Sequence, residues 1–372
     1  MNIVQRKGVK CLTCANFQHM NYLISGIQQL GVGNTNVQET FKWYRRAFGT
    51  DIKIFEEAAM AELMLPYTAN KPHARHAILA ISMNGGGGFE IWQYTSRQAQ
   101  AADFTIQLGD IGIFAGKIKS YNIQASYDHL KRFGARMLTG ITKAPDGRQH
   151  FYIHDLWGNV FEVIEEKTSW YQQKNHSTGG VLGAVIGVKD IDRSIGLYKT
   201  VLGFDKVISD TTAVFEDWKG VEGAQKKFRR VVLRNSKPRE GSFGPLLGDN
   251  EIELIQALDY EPKKIFENRL WGDCGFIHLC FDIKNMKALE EACIKAGQPF
   301  TVDGGAGFEM GEAAGHFTYI EDADGTLIEF VETKKLPVIK KIGWYLDLRK
   351  RDPRKALPDF ILKALRFSRV KD

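Results

Sequence analysis

The sequence predicts an α+β protein built from four repeats of a strand, a helix and three further strands. Strand-like runs alternate with single amphipathic helices, similar segments recur at constant offsets, and Asp-x-x-Gly turns precede two closing strands. The chain has 372 residues, of which 44% are apolar, enough for two domains with sizeable cores. We therefore expect each half of the chain to hold two repeats, which we call modules.

The openings of the two halves resemble each other. Residues 26–49 and 182–203 each read as a strand, an Asx turn and a helix that ends at glycine. Asn36 and Asp190 are the predicted helix N-caps, because their side chains can accept from free N–H groups of the first turn. The aligned residues are Asn36 with Asp190, Tyr44 with Tyr198, and Gly49 with Gly203.

The closing segments of the two halves also match. Residues 151–166 resemble 318–333, and each contains Asp-x-x-Gly in a predicted hairpin turn, followed by a strand with a Glu seven residues after the Asp. These matches set the predicted boundaries. They are a leader at 1–19, a first domain at 21–166 (modules 21–94 and 105–166), a linker at 167–180, a second domain at 181–333 (modules 181–257 and 272–333), and a C-terminal extension at 334–372.

Two polar residues interrupt strands of the last module that otherwise read as apolar. By strand alternation, His278 shares a face with Phe276 and Cys280, and Glu329 shares a face with Leu327 and Val331. Burying an imidazole or a carboxylate is costly unless something pairs with it. A bound metal ion would be such a partner.

Paired modules with these turns and strand ends resemble the vicinal oxygen chelate superfamily, which includes glyoxalase I, extradiol dioxygenases and bleomycin-resistance proteins. The resemblance covers nearly all of residues 21–333. It implies two domains with cupped mixed sheets, in which two modules surround a divalent metal. The ligands come from the first and last strands of each module. In chain order those positions hold Gln29, Glu90, Ala115, Glu162, Gly183, Glu253, His278 and Glu329.

Module pairing decides which of these residues meet. If neighbouring modules pair, each half lacks one ligand, because Ala115 and Gly183 have no ligating side chain. If the outer modules pair, as in members resembling glyoxalase I, one complete site forms and the other is lost; we prefer this interpretation. The complete site holds Gln29, Glu90, His278 and Glu329, and the lost one holds Ala115, Glu162, Gly183 and Glu253. We expect Glu162 and Glu253 to be remnants of duplication or to be neutralised by Lys or Arg.

The resemblance implies a function for the complete site. One imidazole, one amide and two carboxylates suit one divalent ion, namely zinc, nickel, cobalt, manganese or iron. The expected reaction is a glyoxalase I-like isomerase or lyase step on a small molecule, with an enediolate stabilised by the ion, Glu329 as the base and Glu90 as its counterpart. Trp92, Tyr94 and Phe308 are candidates to line the substrate cavity.

Two other functions compete with this one. An iron(II) dioxygenase would need two histidines and one carboxylate on one face, and Gly183 stands where the second histidine would lie. A metal-free binding protein, resembling the resistance proteins, fits the Ala115 and Gly183 losses if neighbouring modules pair. A bound metal that contacts Gln29 and His278 would favour the enzyme over the binding protein.

Charge is concentrated in the extension. The chain carries a net charge of +6, while residues 334–372 contain 13 Lys/Arg and 4 Asp/Glu, a net of +9. We predict a helix at 360–370 whose apolar residues are Phe360, Leu362, Ala364, Leu365 and Phe367. We favour packing of this helix across the two halves, with a solvated basic face, over peripheral contact with an anionic membrane or an acidic partner.

Other patterns limit location and partners. There are five cysteines, which suits a reducing compartment, and we expect Cys11 and Cys14 to be ordinary thiols in the leader. The sequence has no apolar run of membrane-spanning length and no signal-peptide core, so we predict a cytoplasmic protein. No pattern for nucleic-acid binding is present. Four modules complete the fold within one chain, so we expect a monomer or a homodimer.

Overall fold

The computed structural model describes residues 21–171, 176–305, 308–310, 313–339 and 344–371. The predicted leader, with Cys11 and Cys14, lies outside these residues. The elements of the first half are β1 (Leu23–Asn34), α1 (Val37–Phe48), β2 (Ile52–Ala61), β3 (His73–Ile81), β4 (Gly88–Tyr94), β5 (Gly112–Ser120), α2 (Ile123–Phe133), β6 (Arg136–Met137), β7 (Thr142–Lys143), β8 (Gln149–His154) and β9 (Val160–Glu165).

The second half repeats this order and adds the extension. Its elements are β10 (Thr178–Gly187), α3 (Ile191–Thr200), β11 (Lys206–Ala213), β12 (Phe228–Arg234), α4 (Gly244–Leu247), β13 (Glu251–Ala257), β14 (Gly275–Lys284), α5 (Met286–Lys295), β15 (Val302–Asp303), β16 (Phe308–Met310), β17 (Ala313–Glu321), β18 (Leu327–Ile339), β19 (Trp344–Asp347) and α6 (Asp359–Ala364). No helix among the described residues is long and apolar enough to cross a membrane.

The outer modules share one sheet, and the inner modules share the other. Sheet A runs in the order β15-β17-β18-β14-β1-β4-β3-β2, with β16 on β17 and β19 on β18. Sheet B runs β11-β12-β13-β10-β5-β9-β8-β6, with β7 on β8. The antiparallel pair β1–β14 joins the first module to the last. Each sheet therefore takes one module from each half of the sequence, which confirms the preferred pairing of the outer modules.

Local capping explains where the repeated helices begin. The side chain of Asn36 accepts from Glu39 N, and that of Asp190 accepts from Asp192 N and Arg193 N, so both predicted N-caps are confirmed. Gly49 ends α1 in the left-handed conformation, at φ 68°. Helix α3 ends earlier than predicted, at Thr200, before the glycine at 203.

The aligned tyrosines tie each repeated helix to a hairpin of the other sheet. The Tyr44 hydroxyl donates to Asp155 Oδ2 at 2.7 Å, and the Tyr198 hydroxyl donates to Asp322 Oδ2 at 2.8 Å. Both aspartates begin Asp-x-x-Gly turns and also accept from main-chain N–H groups of their own turns. The two motifs that repeat in the sequence thus contact each other in the fold.

One face of each sheet packs into a shared hydrophobic core with α1, α2, α3 and α5. The opposite face of each sheet curves around its own cluster. We call the face of sheet A that carries Gln29, Glu90, His278 and Glu329 the A cup, and the corresponding face of sheet B, with Glu162 and Glu253, the B cup. Trp92, Cys280 and Tyr319 belong to the A-cup cluster, and Tyr152 and Trp218 belong to the B-cup cluster.

The extension packs by different residues than predicted. Helix α6 ends at Ala364 and continues as a 3-10 turn over Leu365–Ser368. Ile361 and Leu362 are buried, whereas Phe360 and Phe367 are exposed, so the predicted apolar set is wrong at both phenylalanines. Leu362 joins a cluster with Ile52 and Met83 of the first module and Leu246 of the third, among others. The extension therefore does lie across both halves.

Candidate metal centre

Four neighbouring strands bring the predicted ligands together. Gln29 lies on β1, Glu90 on β4, His278 on β14 and Glu329 on β18, which are adjacent in sheet A. Gly31 is paired with both Glu90 and His278 in the strand register. All four residues are buried, with exposed fractions of the whole residue of 1%, 8%, 0% and 5% in that order.

The polar atoms of these side chains converge on one point. Nε2 of His278 lies 3.0 Å from Glu329 Oε2 and 3.3 Å from Glu90 Oε2. Nε2 of Gln29 lies 3.2 Å from the same Glu90 oxygen and 3.3 Å from the same Glu329 oxygen. One ligand atom from each of Glu90, His278 and Glu329 falls within 4.8 Å of the others.

The donor set fits a cation. Although His278 Nε2 is close to both carboxylates, it has no hydrogen bond of good geometry, and Gln29 Oε1 has no partner either. Half a turn of the Gln29 amide would place Oε1 where Nε2 lies, facing the two carboxylates. An imidazole nitrogen, an amide oxygen and two carboxylates would then aim lone pairs at one place, which is what a divalent ion requires.

The electrostatic environment of His278 also favours a bound cation. Burial acts to lower the pKa of His278, but the carboxylates of Glu329 and Glu90 outweigh burial and raise it to about 9. The two carboxylates therefore attract positive charge strongly at the imidazole. Metal binding to this imidazole requires loss of its proton, so the ion and the proton compete for one site.

Three residues that sequence reasoning missed complete the surroundings of His278. A Cβ on Gly31 would lie 2.4 Å from Cε1 of His278, so only glycine leaves space for the imidazole. The Tyr319 hydroxyl lies 3.4 Å from His278 Nδ1. Trp271 stacks parallel to the imidazole, with ring centroids 6.2 Å apart. The cross-strand register reveals Gly31, whereas no local pattern identifies Tyr319 or Trp271.

The predicted face of His278 is wrong at Phe276 and right at Cys280. The pairing of β1 with β14 shifts register between Gly31 and Val32, opposite His278 and Phe276. As a result Phe276 joins the shared core, and Ile277 joins the A-cup cluster with Cys280. A β-bulge inserts one residue and so breaks the alternation on which the prediction depended. The predicted face of Glu329 holds, since Leu327 and Val331 contact the A-cup cluster.

A cavity of about 370 Å³ adjoins the A cup, next to Trp271. Ile277, which precedes His278 in the chain, and Leu327, two residues before Glu329, also line it. The predicted lining residues Trp92 and Tyr94 are not in its wall. Instead, Trp92 packs edge-on against Trp271 at 4.3 Å between centroids, and the Tyr94 hydroxyl donates to the Trp271 carbonyl. They support the wall rather than form it.

The B cup carries carboxylates without metal-site geometry. Lys117 lies in its centre, with Nζ 2.9 Å from Glu162 Oε2, 2.7 Å from Glu251 Oε1 and in contact with Glu253. Arg230 also contacts Glu253. Burial opposes ionisation of these groups, but the three carboxylates raise the pKa of Lys117 and Lys117 lowers those of Glu162 and Glu251. The expected neutralisation of Glu162 and Glu253 by basic residues is confirmed.

Backbone packing closes the first-strand positions of the B cup. Ala115 is buried, and a Cβ on Gly183 would lie 1.8 Å from the Glu251 carbonyl oxygen. No side chain fits at position 183 without movement of the backbone. His150, absent from the predicted set, is buried with Nδ1 2.6 Å from Glu162 Oε1 and Nε2 3.2 Å from Asp217 Oδ2. Its contacts are thus with carboxylates that basic residues already neutralise.

The duplicated organisation has a match among protein families. The family model of the Glyoxalase/Bleomycin resistance protein/Dioxygenase superfamily matches residues 26–163 and 180–330. The chain belongs to this superfamily. No protein with a curated description matches the sequence significantly.

Two solved structures share the fold over most of the chain. A glyoxalase I variant from Zea mays is 13% identical, with a TM-score of 0.54, and the match covers 85% of this chain and 94% of that one. A putative dioxygenase from Bacillus subtilis is 12% identical, with a TM-score of 0.55, and the match covers 94% and 97%. At such low identity these likenesses establish the fold alone.

Proposed function

We propose that the A cup is a divalent-metal site and that the protein is an isomerase or lyase resembling glyoxalase I. The observation that carries this proposal is the convergence of Gln29, Glu90, His278 and Glu329, with buried polar atoms that no protein group satisfies. Leaving such atoms unpaired in a protein interior is costly. A bound divalent ion would satisfy them and would polarise a substrate carbonyl.

The two carboxylates are placed to move a proton. Glu329 and Glu90 approach His278 Nε2 from strands on opposite sides of the β14–β1 pair. Their side chains are 7% and 10% exposed, so each can reach a bound molecule. We assign Glu329 as the base that removes a proton next to the carbonyl, and Glu90 as the carboxylate on the opposite side. The expected substrates are small 2-oxo compounds or their thiol adducts.

Dioxygenase chemistry is less well supported by the residues present. The likeness to the Bacillus subtilis protein is one of fold. A non-haem iron(II) oxygenase site uses two histidines and one carboxylate. The A cup supplies one histidine, one amide and two carboxylates, so the isomerase or lyase reaction fits better. A metal-free binding protein would leave the buried polar atoms of the A cup without partners.

Metal content tests the proposal directly. The wild-type chain and the variants His278→Ala and His150→Ala are grown in metal-supplemented medium and measured by elemental analysis. We expect about one divalent ion per chain in the wild type and in His150→Ala, and loss of the ion in His278→Ala. Circular dichroism checks that each variant is folded, and Glu90→Gln serves as a second A-cup variant.

The outcomes separate the competing functions. Absence of metal from the wild type, or full metal content in His278→Ala, would contradict the proposal and favour a binding protein. If the ion is present, Glu329→Gln should lower proton exchange at the carbon next to the carbonyl of a 2-oxo substrate by about 100-fold or more. Deuterium incorporation followed by mass spectrometry measures this exchange.

A further inference from the structure

The outer side of the C-terminal helix exposes two large aromatic residues. Phe360 is 67% exposed and Phe367 is 82% exposed, the highest values among the large apolar side chains of the described residues. Single exposed apolar residues are common on protein surfaces, but two phenylalanines on one short segment are not explained in this way. Ile361 and Leu362, which follow Phe360, are buried and anchor that end of the segment, whereas residues 366–369 around Phe367 are all exposed.

The helix holds both phenylalanines on one side. Phe360 lies in α6 and Phe367 in the 3-10 turn that continues it. Four α-helical steps and three 3-10 steps together make about two full turns, so the two rings lie on roughly the same side, with Lys363 between them in the chain. Leu362 points the other way, into the cluster formed with Ile52 and Leu246. This surface therefore presents two aromatic rings with an ammonium group between them in the chain.

Basic residues surround this face. Residues 360–371 contain Lys363, Arg366, Arg369 and Lys371 and no acidic residue. Two of these cations have partners, since Lys363 lies 3.5 Å from Asp359 and Arg369 lies 3.1 Å from Asp51. The Arg45 guanidinium donates to the Lys371 carbonyl at 3.2 Å, which brings the basic last turn of α1 beside the end of the extension.

Charge decides which kind of partner fits. A two-fold dimer through this face would place each basic surface against its own copy, and like charges repel. A neutral partner would leave the cations without a role, and an acidic protein surface would pair with the cations but would offer the two exposed rings no apolar layer to enter. We propose that this face, defined by Phe360, Lys363, Arg366 and Phe367, docks the protein on an anionic lipid surface. The rings enter the interface while the cations remain at the headgroups.

Vesicle sedimentation tests this docking independently of the A cup. The full chain is mixed with vesicles of phosphatidylcholine alone, or of an equimolar mixture of phosphatidylcholine and phosphatidylglycerol. We expect sedimentation with the anionic vesicles only, and release as salt concentration rises. The double variant Phe360→Ala/Phe367→Ala should bind at least about tenfold more weakly, because it removes the two rings that enter the interface. The variant should still fold, because both side chains are exposed and contribute little to folding.

A matched control is available elsewhere on the surface. The double variant Met60→Ala/Ile294→Ala removes two side chains that are 51% and 58% exposed outside the extension, and it should bind as the wild type does. Equal binding to both vesicle types, or none to either, would overturn the proposal. Failure to bind vesicles together with self-association that Phe360→Ala/Phe367→Ala abolishes, seen by analytical ultracentrifugation, would assign the face to a second copy.

Discussion

The A cup and the B cup share one strand register but neutralise their carboxylates in different ways. In the A cup, Glu329 is paired with Cys280 on the neighbouring strand, and in the B cup Glu162 is paired with Lys117. A buried carboxylate must be protonated or paired with positive charge. The B cup carries its own cation as a lysine ammonium. The A cup has no Lys or Arg in contact with Glu90 or Glu329 among the described residues.

The cups also differ in how they fill the space next to the first-strand ligand. Gly31 faces Glu90 in the A cup, and Val185 faces Glu253 at the matching register of the B cup. Glycine in the A cup leaves room for the His278 imidazole, whereas Ala115 stands at the histidine position of the B cup. The space that Gly31 leaves is therefore part of what allows the polar side chains of the A cup to converge.

The largest expected effect is at Lys117. Replacing it with Met leaves Glu162, Glu251 and Glu253 close together without their central cation. We expect Lys117→Met to lower the free energy of unfolding by about 3–5 kcal/mol, as measured by urea denaturation.

Lys119 on the same strand provides the control. It is buried too, and burial outweighs the attraction of Glu166 and Asp249 to lower its pKa. Replacing Lys119 with Met should therefore cost less than about 1.5 kcal/mol, because the cation there gains little from its surroundings. Equal losses in the two variants would contradict the role assigned to Lys117.

The second effect is loss of the metal through a residue that is not a ligand. In Gly31→Val, the added side chain must displace the His278 imidazole, since the Cβ alone would lie 2.4 Å from Cε1. We expect affinity for a divalent ion to fall by more than about 100-fold, measured by titration calorimetry.

Two further variants distinguish displacement of the His278 imidazole from a general folding defect. Gly31→Ala adds only the Cβ and should weaken binding in the same direction. Gly140→Val adds the larger side chain where no atom lies within 4 Å of the Cβ, so it should leave affinity unchanged. Wild-type affinity in Gly31→Val would show that the imidazole is not a ligand.

The smallest effect is expected at a tyrosine that contacts a ligand. The Tyr319 hydroxyl lies near His278 Nδ1 and helps to orient the imidazole with Nε2 toward the carboxylates. Tyr319→Phe should weaken metal affinity by about 10-fold to 100-fold, as loss of outer-shell hydrogen bonds does elsewhere. Tyr152→Phe is the B-cup control, because the Tyr152 hydroxyl accepts from Trp218 Nε1 at 2.9 Å. The interpretation fails if both variants bind metal equally well.

Local patterns in the sequence were enough to predict the modules, and the resemblance to the superfamily then implied the four positions of the A cup. Capping at Asn36 and Asp190, the Asp-x-x-Gly turns and the strand periodicity depend on residues only a few positions apart, so the sequence contains them directly. The positions of Glu90 and Glu329 near the starts of closing strands follow from the same local order. The sequence also indicates the pairing of the outer modules, because Ala115 and Gly183, which have no ligating side chain, both fall in the inner modules.

Tertiary structure alone decided which atoms meet. The β1–β14 junction, the bulge at Ile277, the space beside Gly31 and the ammonium of Lys117 all depend on strands far apart in the chain. A bulge shifts every later side chain to the other face, and a buried charge finds its partner by distance rather than by spacing in sequence. For the same reason the extension buries Ile361 and exposes Phe360, although both are equally apolar in the sequence.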